Sequence, residues 1–242
     1  MTTVSETGHA VNISNFKLLI DTCTAFGVAY NPSNTDLTIV NMTTLWTSGE
    51  TAHQTLTTAV QNSKNPINER EILFKPADKL VTRTLNYFES TKASAEIKLD
   101  AKGLADRFRG FGVGVDKLED GSPDPDDVST SHLSYVQKAD TFKQLIDLYA
   151  SDANYAPNET ELTIARLTTL WNDMKTLNDN IGTVLAPVET ARIARDEALY
   201  AEGTGMVDVS LACKDYVQGL YGASSPEAKM VRGIKFTRLK KK

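Results

Sequence analysis

Thr35-Asp36-Leu37-Thr38-Ile39-Val40-Asn41-Met42-Thr43-Thr44-Leu45-Trp46 returns later in the chain. It reappears as Thr160-Glu161-Leu162-Thr163-Ile164-Ala165-Arg166-Leu167-Thr168-Thr169-Leu170-Trp171, with eight of twelve positions identical. Both tryptophans of the chain fall at matched places. Such self-similarity decides architecture before any single residue does. Outward from this segment the match continues. Phe16-Lys17-Leu18-Leu19-Ile20-Asp21 pairs with Phe142-Lys143-Gln144-Leu145-Ile146-Asp147, and Tyr30-Asn31-Pro32 with Tyr155-Ala156-Pro157. Fainter matches join Glu71 to Phe74 with Glu197 to Tyr200, Leu80-Val81 with Met206-Val207, and Arg109-Gly110-Phe111 with Arg232-Gly233-Ile234.

The expected organisation is therefore copy one over 1–111, a Gly/Pro/acidic linker over 112–130, and copy two over 131–242 with a basic C-terminal tail. Each copy reads as helical. Ile164, Leu167, Trp171, Met174, Asn178, Ile181 and Leu185 follow a 3-4 spacing, as do Ile39, Met42, Trp46, Gly49, His53, Leu56 and Val60. That is the buried stripe of a helix, not the alternation of a strand. Asn158 with Glu161, and Ser33 with Asp36, read as capping boxes opening this long helix. Pro66 and Pro187 read as the first turn of a third helix, a position that tolerates proline.

Further helices are expected over about 13–28 and 132–152, and over about 78–92 and 206–221. A short last one runs from Ser225-Pro226 to Gly233, with Asp100 and Gly110 bounding its copy-one equivalent. The expected fold class is all-α: two tandem antiparallel four- or five-helix bundles. Threonine-rich helices have low intrinsic propensity, so packing must hold them.

Composition narrows the function. The chain has 242 residues, 40% hydrophobic and 24% charged, enough to bury a real core. No apolar run reaches the roughly 20 residues that span a bilayer. Met1 to Val11 lacks the basic-then-apolar order of a signal peptide. Cys23 and Cys213 make neither a disulfide framework nor a CxxC site. A cytoplasmic protein is expected, without membrane insertion. Three histidines (His9, His53, His132) leave little from which to build a zinc centre, and no metal or cofactor is expected.

The candidate constellations read mostly as structure. His53 and Asn178 share one stripe position, yet Asn cannot transfer a proton at neutral pH, so a register-setting polar residue is expected there. Asp116, Asp120, Gly121, Asp124 and Asp127 partly match a calcium loop, but Leu118 breaks the ligand pattern and a solvated linker is the reading. Gly110-Phe111-Gly112-Val113-Gly114 lacks the Lys-Ser/Thr of a phosphate loop and reads as a helix stop. Glu202 to Gly205 reads as a turn. Asp21 and Asp147 read as helix-surface acids, and the cysteines as small buried residues. No catalytic residue is expected.

The C-terminus is the one charge feature above background. Lys229, Arg232, Lys235, Arg238, Lys240, Lys241 and Lys242 crowd the last fourteen residues of a chain whose net charge is −5. Lys235, Arg238, Lys240, Lys241 and Lys242 are the candidate polyanion contacts, through counterion release. The acidic remainder opposes nucleic-acid binding. Ile234 and Phe236, alternating with these charges, suggest an extended strap tucked against the bundle, with Phe111 and Val113 doing the same in copy one.

The stretch Tyr221-Gly222-Ala223-Ser224-Ser225-Pro226-Glu227-Ala228-Lys229-Met230-Val231-Arg232-Gly233-Ile234-Lys235-Phe236-Thr237, with Ala191 to Tyr200 before it, resembles the end of uncharacterised all-helical proteins of Bacteroidetes bacteria. The resemblance covers mainly copy two. It implies a helical bacterial protein and carries no catalytic residue. The functional expectation is a non-enzymatic structural or protein-interaction (scaffold or assembly) module, binding a protein partner or a second copy of itself. The alternative is a protein associated with nucleic acid or an acidic surface through its basic tail.

Overall fold

The computed structural model describes residues 8–111 and 134–238. The linker with its calcium-loop pattern, Gly112 to Gly114, His132 and Lys240 to Lys242 lie outside the described residues. The described chain is all-α, with no strand among the described residues: α1 (His9–Ala25), α2 (Ile39–Phe74), α3 (Ala77–Glu89), α4 (Ala95–Arg109), α5 (Tyr135–Ser151), α6 (Ile164–Tyr200), α7 (Met206–Tyr221) and α8 (Pro226–Gly233).

The quoted repeat builds the same entry into α2 and α6. A one-turn 3-10 helix, Thr35–Leu37 or Thr160–Leu162, precedes each long helix. A buried tyrosine pins it: Tyr30 Oη donates to the Leu37 carbonyl at 2.8 Å, and Tyr155 Oη to that of Leu162 at 2.8 Å. The helix then starts one step further on. The Thr38 hydroxyl accepts from the Asn41 N–H at 3.3 Å, and that of Thr163 from Arg166 at 3.4 Å. The N-caps are thus Thr38 and Thr163, not the expected Ser33 and Asn158. The tyrosine anchor commits the intervening residues to a tighter turn, and a capping threonine satisfies an orphan helix donor there.

A second correction has larger consequences. Pro66 and Pro187 do not begin new helices; they lie inside α2 and α6, which run unbroken for 36 and 37 residues. An interior proline removes one backbone hydrogen bond and costs about 3 kcal/mol. Burial on both sides of each proline offsets that. Leu56 and Phe74 are buried on α2, Ile181, Val188 and Leu199 on α6.

The copies are therefore not one bundle each. One compact unit holds residues 8–63 and 184–238; the other holds 64–183. The first joins α1 and the first part of α2, from copy one, to the end of α6, α7 and α8, from copy two. The second joins the end of α2, α3 and α4 to α5 and the first part of α6. Each unit pairs the opening half of one copy with the closing half of the other. The expectation of tandem bundles over 1–111 and 131–242 assumed a turn at each proline. Without that turn, each long helix delivers the rest of its copy to the other unit. The start expected at Asp100 also moves: Ser94 caps α4, accepting from the Ile97 N–H at 3.4 Å.

The opening helices of the two copies place matched residues in the two cores. Phe16, Leu19 and Ile20 of α1 are buried against Met42, Leu199, Met206, Val209 and Val217. Phe142, Leu145 and Ile146 of α5 are buried against Leu167, Met174, Val81, Phe88 and Phe108. Trp46 and Trp171 are half-buried at the edge of their clusters, with Lys17 Nζ 5.7 Å and Lys143 Nζ 5.2 Å from the ring centres. Those lysines also pair with Asp21 and Asp147, which are helix-surface acids as read from the sequence.

At one position the cores differ in a complementary way. Gly49 is buried, and a Cβ there would overlap the methyl end of Met206. Its repeat equivalent is Met174, fully buried in the other unit, where Leu80 stands at the place matching Met206. The missing side chain of copy one is filled by a long side chain of copy two. Replacing Gly49 with Met should overpack this contact and cost about 1–3 kcal/mol in urea unfolding. Adding Met206→Ala should be less damaging in that background than in the native protein, with a coupling near 1 kcal/mol. Strict additivity would mean that the two residues do not meet.

Candidate functional site

The closing segment forms the strap read from the sequence. Ile234 is 8% exposed and Phe236 packs on the core of its unit. Asn12, 1% exposed, clamps the strap backbone: its Nδ2 donates to the Thr237 carbonyl at 2.8 Å, and its Oδ1 accepts from the Thr237 N–H at 3.0 Å. Asn15 donates to the Lys235 carbonyl at 2.7 Å. Lys214 donates to the Ile234 carbonyl, with its Nζ 4.8 Å from the Phe236 ring centre. Burial and the neighbouring Lys235 charge lower the Lys214 pKa. Beneath the strap Tyr200 Oη lies 3.0 Å from His9 Nδ1, and burial holds the His9 pKa below its usual value. Copy one does not repeat this: Phe111 is 61% exposed, under the Arg109 guanidinium at 5.1 Å.

Of the proposed polyanion contacts, Lys235 is exposed on the strap and Arg238 is ion-paired with Asp208. Upstream, Arg232 donates to Gln218 Oε1 at 3.0 Å and to the Ala223 carbonyl at 2.8 Å. The other sequence candidates resolve into structure. Asn178 Nδ2 donates to the Tyr135 carbonyl at 3.0 Å, tying α6 to the start of α5. His53 is half-buried, its Nδ1 without a partner among the described residues. Gly110, at φ 79°, is the left-handed cap that ends α4. Gly203, at φ 76°, turns the chain between α6 and α7, donating its N–H to Asp208 Oδ2 at 2.9 Å.

What the sequence reading missed is a pair of grooves, one on each unit at equivalent places. Each lies where the start of a long helix meets the third helix of the other copy. On the unit of residues 64–183 the groove is about 520 Å³, floored by Leu73, Ala77, Leu80 and Leu170, with Lys79, Arg83, Glu161 and Arg166 around it. Its counterpart, about 300 Å³, is lined by Asp36, Asn41, Leu45, Ser48, Thr204 and Val209. Leu45 matches Leu170 and Asp36 matches Glu161. By contrast Arg166 faces the place of Asn41, Arg83 that of Val209, and Lys79 that of Gly205.

One groove is thus cationic over an apolar floor, and its twin is neutral to acidic. Arg83 pairs with Glu161 at 2.5 Å; Lys79 and Arg166 have no acidic partner among the described residues. A third groove, about 780 Å³, runs along α2 between Thr43 and Ala52, facing Ala194 and Ala198. The hydroxyls of Thr43, Thr44 and Thr47 bond carbonyls four residues back, at 2.7, 3.0 and 2.9 Å, which satisfies them within their own helix. The sequence carries these differences at matched places, as Arg166 for Asn41, Arg83 for Val209 and Lys79 for Gly205. They become legible once the halves are known to exchange, because each groove draws residues from both copies.

No protein family matches the chain, and no curated protein or solved structure is significantly similar to it. Among the described residues no group of three His, Cys, Asp or Glu is placed to hold a metal ion, and no helix is long and apolar enough to cross a membrane.

The strap generates a prediction. Asn12→Ala strips the Thr237 N–H and carbonyl of their partner at a part-buried site. It should cost about 1–3 kcal/mol in chemical unfolding. Deleting the chain from Ile234 onward should cost more, because it also uncovers the apolar surface under Ile234 and Phe236. A loss below about 0.5 kcal/mol for both changes would mean the strap does not hold the unit together.

Proposed function

We propose that the protein is a non-enzymatic protein-interaction module, of the scaffold or assembly type, built from a duplicated helical unit. The observation that carries this is the contrast between the two equivalent grooves. The repeat places both beside the start of a long helix with a matched leucine, Leu170 or Leu45, and the charged residues around them differ. Lys79, Arg83 and Arg166 surround one; Asp36, Asn41 and Val209 stand at the other. Different charges at matched places on one scaffold suit two different binding preferences.

The cationic groove suits an acidic amphipathic helix. Leu73, Leu80 and Leu170 take its apolar face, while Arg166 and Lys79 meet its carboxylates. The hydroxyl-satisfied threonines along α2 add a surface of small residues that permits close helix approach. The buried hydroxyls serve packing in this reading: Tyr30 and Tyr155 pin turns, and Thr84 and Ser210 bond their own helices. Arg232 and Arg238 are held in contacts within the fold. A cytoplasmic, bacterial setting belongs to the same proposal.

A synthetic helix-forming peptide with Leu on one face and Glu on the other tests it by fluorescence anisotropy. It should bind the full chain, weaken as salt rises, and lose at least about tenfold on Arg166→Glu, an exposed position where surface changes cost under about 0.5 kcal/mol. Equal affinity for the variant, or for a peptide carrying Lys in place of Glu, would remove the groove from the account.

A further inference from the structure

Cys23 and Cys213 come from opposite ends of the sequence and meet in one core. Cys23 lies on α1, in the first half of copy one; Cys213 lies on α7, in the second half of copy two. Both are wholly buried, and their sulfurs are 3.5 Å apart. A disulfide needs about 2.05 Å between sulfurs. The sulfurs lie about 1.5 Å beyond that bond length, on helices that already pack on each other.

The surroundings show that packing alone does not call for thiols here. The repeat places Tyr149 where Cys23 stands, Tyr87 where Cys213 stands, and Tyr155 where Tyr30 stands. In that unit the three are rings in contact: Tyr149 stacks on Tyr155 at 4.3 Å, and Tyr87 meets Tyr155 edge-on at 5.3 Å. The same backbone positions therefore hold large aromatics in one unit and two touching sulfurs in the other. Around the sulfurs Tyr30 Oη lies 3.3 Å from Cys213 Sγ. Its proton is directed to the Leu37 carbonyl at 2.8 Å, which leaves the hydroxyl oxygen facing the thiol.

We propose that Cys23 and Cys213 are a modification site: a reversible disulfide that staples the first half of copy one to the second half of copy two. With a peroxide as oxidant, one thiolate attacks the O–O bond, giving a sulfenic acid and one water once protons are counted. The second sulfur then displaces the sulfenic oxygen as a second water. Two thiols and one peroxide become one disulfide and two waters, and a dithiol reductant reverses the change. The hydrogen bond with the Cys213 thiol, and then burial, raise the Cys23 pKa, so the closed structure holds little thiolate there. Reaction proceeds from openings in which α1 parts from α7, so oxidation is slow compared with that of an exposed thiol.

The test uses the intact, reduced chain. It is held with hydrogen peroxide at neutral pH, denatured, alkylated and weighed. The expected product is monomeric, lighter by two hydrogens and carries no alkyl group. Its thermal midpoint should lie above that of the reduced chain and return on treatment with dithiothreitol. Cys213→Ser should show no oxidant-dependent rise in midpoint. Should that variant fail to fold, the mass and midpoint of the native chain decide alone. Two alkylated sulfurs after prolonged exposure, sulfinic acids in place of the two-hydrogen loss, or only disulfide-linked dimers would each overturn the proposal.

Discussion

The arrangement depends on α2 and α6 continuing through their prolines. Pro66 and Pro187 each remove a backbone bond from the middle of a helix, and a helix of weak formers has little propensity in reserve. Continuity is held by what each helix buries on both sides of the break. α2 places Met42 in one core and Phe74 in the other, and α6 does the same with Leu199 and Leu167. Once the helix does not turn, the second half of each copy cannot rejoin its own first half. The exchange of halves, the composition of both cores and the residues around both grooves follow from that one condition.

Exchange also accounts for how the copies have diverged. In a bundle made of one copy, a residue need only suit its own repeat. Here Gly49 must suit Met206, and Cys23 must suit Cys213, although each pair is separated by most of the chain. The same positions in the other unit are Met174 with Leu80, and Tyr149 with Tyr87. Small meets large, or sulfur meets sulfur, in one unit; in the other, Met174 and Leu80 belong to one cluster and Tyr149 and Tyr87 both meet Tyr155. Complementary cores of this kind discriminate between partners, because the wrong pairing creates either overlap or a void.

Much of the fold was legible in the sequence, for physical reasons that can be named. The 3-4 apolar spacing marked the long helices, Ser225-Pro226 marked the start of α8, and Gly110 marked the end of α4. Each is a local signal read by local chemistry. What was not legible is equally instructive. A proline has the same local appearance at a first turn and inside a helix, and tertiary burial selects between them. Thr38 and Thr163 were hidden as caps because Ser33 and Asn158 offered equally good local chemistry; only Tyr30 and Tyr155, acting from a distance, exclude those. The grooves stayed invisible for a related reason. Arg83 and Arg166 share one surface only after the halves exchange, and no local pattern joins residues of different copies.

The central claim is that each compact unit needs both copies. It is tested most directly by inserting a specific protease site between Phe111 and Ser134 in the full chain, cutting it, and passing the product over a size-exclusion column with light scattering. Exchanged halves predict that both fragments elute together at the mass of the uncut protein, and separate only at denaturant concentrations that also abolish the helical circular dichroism. Two fragments that separate under native conditions, each retaining its helical signal, would mean that each copy folds on its own and would contradict the exchange.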